Sequence, residues 1–184
     1  MLVYLHGGPG GSSFPMYSLG LHGWEQHFTV VQWDQRGTGK SFSADIDPNS
    51  MTLDQPVSDT LRLIDHICEK LRKSKICLLG HSWGSFLAVH VLLSDSRSIG
   101  AYVGTGQVVD MTEAEKTGYE FALERAQEEG NERAVDELRA IAPYPTGMNQ
   151  DHSKRPIARR WARHYGWVGS DEAALNRKAL IVDP

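Results

Sequence analysis

Over the first hundred residues, short apolar runs alternate with longer stretches of helical periodicity. Leu2-Val3-Tyr4-Leu5 is an unbroken apolar run that empties into His6-Gly7-Gly8-Pro9-Gly10-Gly11. Residues 28–33 (Phe28-Thr29-Val30-Val31-Gln32-Trp33) repeat the scheme and lead into Asp34-Gln35-Arg36-Gly37-Thr38-Gly39-Lys40-Ser41. Residues 75–79 and 99–104 are two more runs of this kind. Apolar runs this short, bounded by glycine, predict buried strands. Between them Val57, Leu61, Ile64, Cys68 and Leu71 recur at helical spacing, which predicts an amphipathic helix over about 53–73. Thr52-Leu53-Asp54-Gln55 has the capping-box pattern at its start, and Lys70, Arg72 and Lys73 suit the dipole at its end. Phe86 to Leu93 is apolar and predicts a buried helix. Strand and helix in alternation imply an α/β fold: a mostly parallel sheet with helices on both faces.

The texture changes after Gly104-Thr105-Gly106. A second capping box, Thr112-Glu113-Ala114-Glu115, opens a helix predicted to run to about Glu129, with Gly130 as its stop. Further helices are predicted from Asn131 to Ile141, Ile157 to Tyr165 and Asp171 to Ile181, with a Pro-, Gly- and Asn-rich loop over 143–156. We therefore expect an α/β core over 1–106 and a helical segment over 107–184.

Composition narrows the class. The 184 residues are 40% hydrophobic and 23% charged, the balance of a globular chain able to bury a sizeable core. A net charge of −4 argues against a strongly basic nucleic-acid surface. No apolar run approaches the length of a membrane span. The first residues lack the basic segment and long apolar run of a signal peptide, so a cytoplasmic location is expected. Cys68 and Cys77 are expected to be reduced thiols. No Cys-x-x-Cys or histidine cluster predicts a metal site, and no cofactor is implied.

Three segments could carry chemistry. The strongest is Gly80-His81-Ser82-Trp83-Gly84, a Gly-x-Ser-x-Gly between a predicted strand and a predicted helix, the context a nucleophile elbow requires. A tight turn there would hold the Ser82 hydroxyl at the sheet edge, beside a helix N-terminus that favours developing negative charge. Acyl transfer also needs two backbone N–H groups aimed at the oxyanion. Trp83, the residue after the serine, is the candidate for one. Gly8 is the candidate for the other, because no side chain blocks its approach and Pro9 fixes the turn. The bond before Pro9 is a candidate cis peptide. His6, Gly7, Pro9 and His81 are expected to shape the site. In the third segment Gly39-Lys40-Ser41 mimics the end of a P-loop, but Asp34 stands where a P-loop needs its first glycine. Asp34 and Arg36 are expected instead to order the loop through hydrogen bonds and an ion pair. Lys154, Arg155, Arg159, Arg160 and Arg163 predict a basic helical face, read as solvated.

In this order and context, His6-Gly7-Gly8-Pro9-Gly10, Trp33 to Ser41 and Gly80 to Ser85 resemble the α/β-hydrolase superfamily, within it the proline iminopeptidase-like branch. The resemblance covers residues 2–110, and 111–184 looks like the start of the helical cap inserted after the sixth strand. It implies that the four predicted strands are the third to sixth of that fold, and that Ser82 is the nucleophile with Gly8 and Trp83 as oxyanion donors. A serine here argues against the branches that use aspartate, the haloalkane dehalogenases and epoxide hydrolases. The implied activity is hydrolysis of a peptide or amide bond, as in an aminopeptidase acting on a small peptide. An esterase of the same fold and a catalytically incomplete binding module are the alternatives.

Two departures qualify the match. Dedicated proline iminopeptidases carry Leu-Arg-Gly-Ile-Phe after the sixth strand, and the Arg helps build the substrate site; here the chain reads Val103-Gly104-Thr105-Gly106-Gln107. The triad order of the fold is Ser, then Asp or Glu, then His. His152 and His164 follow Ser82 without a preceding predicted strand, and no histidine follows Asp183. The triad acid and histidine are therefore not found in this chain, which is expected to stop inside the cap.

Overall fold

The computed structural model describes residues 1–12, 23–47, 50–146 and 153–167. The chain divides into two compact units, Met1–Val109 and Asp110–Pro184. The first holds β1 (Leu2–Leu5), β2 (Val30–Gln32), α1 (Asp54–Leu71), β3 (Ile76–His81), α2 (Trp83–Ser94) and β4 (Ile99–Thr105). The strands form one sheet in the order β2-β1-β3-β4, with every pair parallel. Leu5 lies opposite Gly80, and Gly80 opposite Gly104.

Period-two alternation splits the strand side chains between the sheet's faces. Val3, Leu5, Ile76 and Leu78 join Ile64 and Ile67 of α1 and Leu87, Ala88 and Val91 of α2 in one buried cluster. Leu2, Tyr4 and Leu79 form the other face, with Trp24 and Cys77 packed against them. Both cysteines are free.

The helix starts differ from the sequence expectations in an instructive way. Thr52 does not cap α1 through its hydroxyl: Leu53 already has helical dihedrals, and the Thr52 carbonyl accepts the Gln55 N–H at 3.2 Å. The Gln55 side chain donates to Asp59 Oδ1 instead, at 2.9 Å.

In the second unit the cap of α3 (Met111–Glu128) is Asp110, whose Oδ1 accepts from Glu113 N–H at 2.9 Å. Asp110 stands two residues before the predicted Thr112. Asn131 caps α4 (Glu132–Ala140) by accepting from Ala134 N–H. The third helix is α5 (Arg155–His164). Ala122, Ala126, Ala134, Ala158 and Ala162 pack with Leu138 and Tyr144 in the core of this unit, and such small residues let helix backbones approach closely. The basic face of α5 is tied down rather than freely solvated. Arg159 pairs with Glu115, Arg160 pairs with Glu137, and Lys154 donates to the Pro143 carbonyl. The predicted helix over Asp171 to Ile181, His152 and Asp183 lie outside the described residues. Among the described residues, no helix is long and apolar enough to cross a membrane.

Candidate active site

The sheet order creates the site. From β1 the chain moves to β2 on one side, then returns through α1 to β3 on the other. The segments leaving β1 and β3 therefore diverge at the strands' carboxyl ends, and a crevice between diverging connections is where open α/β sheets bind ligands. His6 to Pro9 leave β1 at this point, and Ser82 stands at the end of β3.

Ser82 is the hinge between β3 and α2, with φ 51° and ψ −121°. It is one of two described non-glycine residues at positive φ; the other is Arg72, at the C-terminus of α1. For a residue bearing a Cβ this is a strained conformation, and it persists only where the surroundings over-determine it. They do so here. The Ser82 N–H donates to the Thr105 carbonyl at 2.9 Å, and the Ser82 carbonyl accepts from Ser85 N–H at 2.8 Å and Ser85 Oγ at 2.6 Å. Ser85, fully buried, also accepts from Val108 N–H, and its carbonyl accepts from the Tyr102 hydroxyl. His81 Nδ1 is hydrogen-bonded to Thr105 Oγ1 at 2.9 Å. The end of β4 thus clamps the turn from behind.

Close approach makes the turn possible. A Cβ on Gly80 would stand 2.5 Å from the Gly84 carbonyl oxygen, and one on Gly84 would overlap the Leu5 carbonyl. With both positions bare, α2 starts directly over β1. The Trp83 and Gly84 N–H groups lie in its first turn, where no intrahelical acceptor exists. A Cβ built on Gly7 would be 3.2 Å from Ser82 Cβ, so the loop after β1 runs beside the serine. Gly8 has φ +137°, its bond to Pro9 is cis, and its N–H has no acceptor among the described residues.

The third segment links these two. Asp34 accepts from Ser12 Oγ at 2.7 Å and from Lys40 N–H at 2.9 Å. A carboxylate of the chain's own thus sits at the backbone of Gly39-Lys40-Ser41, where a P-loop would hold phosphate. Arg36 forms a two-pronged ion pair with Asp59 of α1, at 2.7 Å on each prong, and the pair holds the Asp59 carboxyl below its usual range. Gln35 is 4% exposed and reaches both the loop after β1 and the start of α2. Its N–H donates to His6 Nε2 at 3.2 Å, its side-chain Nε2 donates to the His6 carbonyl at 3.1 Å, and its Oε1 accepts from Trp83 Nε1 at 3.0 Å. Three more residues enter the site without a motif to mark them: Asp59 from the polar face of α1, and Ser85 and Thr105 as polar residues in an otherwise apolar helix and at a strand end. A cleft of about 700 Å³ lined by Trp33, Arg36, Asp59, Leu63 and His66 lies beside α1 and does not include Ser82.

His6 is 1% exposed, and both its ring nitrogens are engaged: Nε2 accepts from Gln35 N–H and Nδ1 donates to the Gly7 carbonyl at 2.8 Å. Burial lowers its pKa, against smaller opposing effects of that hydrogen bond and of Asp34. The neutral ring is therefore the folded form. An unfolded chain takes up the proton first, near pH ~6.5. The stability His6 contributes is complete above that value and is lost as pH falls towards the lower folded value. The melting temperature is expected to decline once pH drops below about 6.5, while the His6 ring resonances remain those of a neutral imidazole. Full protonation of His6 in the folded protein at pH ~6.5 would contradict this assignment.

Among the described residues no cluster of His, Cys, Asp and Glu could hold a metal ion. A family model for the alpha/beta hydrolase fold matches residues 1–180. The chain belongs to this family. A probable aminopeptidase of Bacillus subtilis (strain 168) is 41% identical over 124 residues, which are 67% of this chain and 39% of that protein. A proline iminopeptidase of Heyndrickxia coagulans is 33% identical over 100 residues, 50% of this chain and 30% of that one. Among solved structures, a proline iminopeptidase-related protein of Thermus thermophilus superposes with a TM-score of 0.56 at 29% identity, covering 97% of this chain and 64% of that one. The proline iminopeptidase of Mycobacterium smegmatis gives 0.55 at 20% identity over 89% and 60%, a likeness of fold. This α/β-hydrolase chain thus spans less than two thirds of each of these relatives.

Proposed function

We propose that this α/β-hydrolase chain carries the nucleophile and oxyanion hole of a serine hydrolase acting as an aminopeptidase on small peptides. The observation that carries the reading is the strained Ser82 turn between β3 and α2 with the Gly7-Gly8 loop alongside. In this reading Ser82 Oγ attacks the carbonyl carbon of the scissile amide. The oxyanion of the tetrahedral intermediate accepts from Gly8 N–H and Trp83 N–H, each such donor commonly contributing about 3–4 kcal/mol. Collapse expels the amine, which leaves protonated, and the acyl group stays on Ser82 until water releases it. His6 cannot take the Ser82 proton, because both its nitrogens are engaged. Among the described residues no side chain is hydrogen-bonded to Ser82 Oγ, and in this reading the proton acceptor and its carboxylate are sought beyond them. We read the helical unit as part of the family's cap.

Prolyl selectivity is expected to be weak. Gln107 stands in the segment where dedicated proline iminopeptidases place a cation; its Oε1 accepts from the Tyr102 hydroxyl at 2.6 Å and its Nε2 donates to the Val108 carbonyl. It is folded onto its own loop rather than offered to a substrate. With the native protein, prolyl, alanyl and leucyl p-nitroanilides are expected to give kcat/KM values within about tenfold of one another, about 1.4 kcal/mol of discrimination. A p-nitrophenyl ester series run in parallel separates the aminopeptidase from an esterase. Hydrolysis of esters alone would replace the aminopeptidase reading, and a prolyl preference above about a hundredfold would overturn the specificity argument.

A further inference from the structure

We propose that Gln35 is a positioning residue for the oxyanion hole: it selects the His6 tautomer that holds the Gly7–Gly8 peptide plane, and it ties that peptide to Trp83. The inference rests on the reading of Gly8 and Trp83 as oxyanion donors.

The Gly7–Gly8 peptide is a single planar unit, trans in this structure. It carries the Gly7 carbonyl on one side and the Gly8 N–H on the other, so fixing the carbonyl fixes the direction of the N–H. His6 Nδ1 fixes it, at 2.8 Å from the Gly7 oxygen. That bond exists only when Nδ1 carries the proton, because a bare Nδ1 would face the carbonyl lone pairs. Neutral imidazole carries one N–H, so Nε2 must then be an acceptor. The Gln35 backbone N–H supplies its donor, at 3.2 Å. Both contacts thus demand the same tautomer.

The Gln35 side chain holds that backbone N–H in place. Its amide nitrogen donates to the His6 carbonyl and its amide oxygen accepts from the Trp83 indole. Turning the amide over would set N–H against N–H and oxygen against oxygen, so one orientation satisfies both ends. The residue that supplies the second donor is thereby tied to the residue that orients the first. A carboxylate at position 35 would keep the Trp83 bond and repel the His6 carbonyl; a thioether would keep the volume and lose both.

The experiment compares the wild-type protein with Gln35→Met, Gln35→Glu and Trp83→Phe. Two quantities are read: the second-order rate of Ser82 phosphonylation by an alkyl fluorophosphonate, and the nitrogen-15 shifts of the His6 ring and the Gly8 amide. Gln35→Met is expected to slow phosphonylation about tenfold or more, mix the His6 tautomers and move the Gly8 amide. Gln35→Glu is expected to move the Gly8 amide as well. Adding Trp83→Phe to Gln35→Met should cost little more, because both cut one link. Wild-type rate with unmoved His6 and Gly8 resonances in Gln35→Met would overturn the proposal. If that variant does not fold, Trp83→Phe decides: it keeps the Gln35 bonds to His6 but frees one end, so an unmoved Gly8 amide overturns the tie. Failure to phosphonylate wild-type Ser82 sinks the serine-hydrolase reading instead, and the His6 and Gly8 resonances still decide the role of Gln35.

Discussion

Replacing Gly84 with alanine is expected to destabilise the first unit by about 3 kcal/mol or more, at the upper end of overpacking costs. The added methyl would overlap the carbonyl of Leu5 and crowd that of His6. Neither neighbour is a flexible side-chain end. Leu5 is fully buried in a strand flanked on both sides, so β1 cannot retreat without breaking its registers with β2 and β3. Moving α2 outward would instead open the cluster of Leu87, Ala88 and Val91 against Ile64 and Ile67. Gly80→Ala meets the same obstacle from below, against the Gly84 carbonyl and Ser85 Cα. Urea unfolding followed by far-ultraviolet circular dichroism measures both. A loss under about 1 kcal/mol for Gly84→Ala would show that the helix start yields more easily than its contacts imply.

Replacing Ser82 is expected to separate function from stability. If Ser82 is the nucleophile proposed above, Ser82→Ala should lower hydrolysis by the native protein on the order of 10⁶-fold, as removal of a nucleophilic serine does elsewhere. Ser82→Gly should lower it as much, yet raise unfolding stability by about 1 kcal/mol, because the backbone at φ 51° and ψ −121° suits a residue without a Cβ. The small entropic penalty of glycine in the unfolded chain works against that gain. The proposed role thus predicts a sign: the variant without the serine hydroxyl should be the more stable protein. Equal or lower stability of Ser82→Gly in urea would mean the turn is not strained.

The turn that carries the candidate site was readable because local sequence dictates it. Gly80 and Gly84 around Ser82, between an apolar run and an apolar helix, already described a sharp strand-to-helix turn. The structure moves the edges of that turn, with β3 continuing through His81 and α2 starting at Trp83. What stayed hidden depends on distance along the chain. Gln35 meets His6 and Trp83 across 29 and 48 positions, and nothing in its neighbours distinguishes it from the loop residues beside it. Arg36 announced an ion pair without naming Asp59, which sits on a helix face that periodicity describes only as polar. Asp110-Met111-Thr112-Glu113 and Thr112-Glu113-Ala114-Glu115 carry the same capping signature one after the other, and local pattern does not choose between them; the chain turns into α3 at the first, and Glu115 bonds to Tyr144 and Arg159 instead of reaching back. The crevice itself follows from strand order, which no local pattern encodes.

The central claim, that Ser82 is a nucleophile facing an oxyanion hole, is tested most directly by peptide-mapped mass spectrometry of the native protein after exposure to an alkyl fluorophosphonate. One adduct is expected, on the peptide containing Ser82 and absent from Ser82→Ala. An adduct on another residue, or substrate hydrolysis that survives in Ser82→Ala, would contradict it.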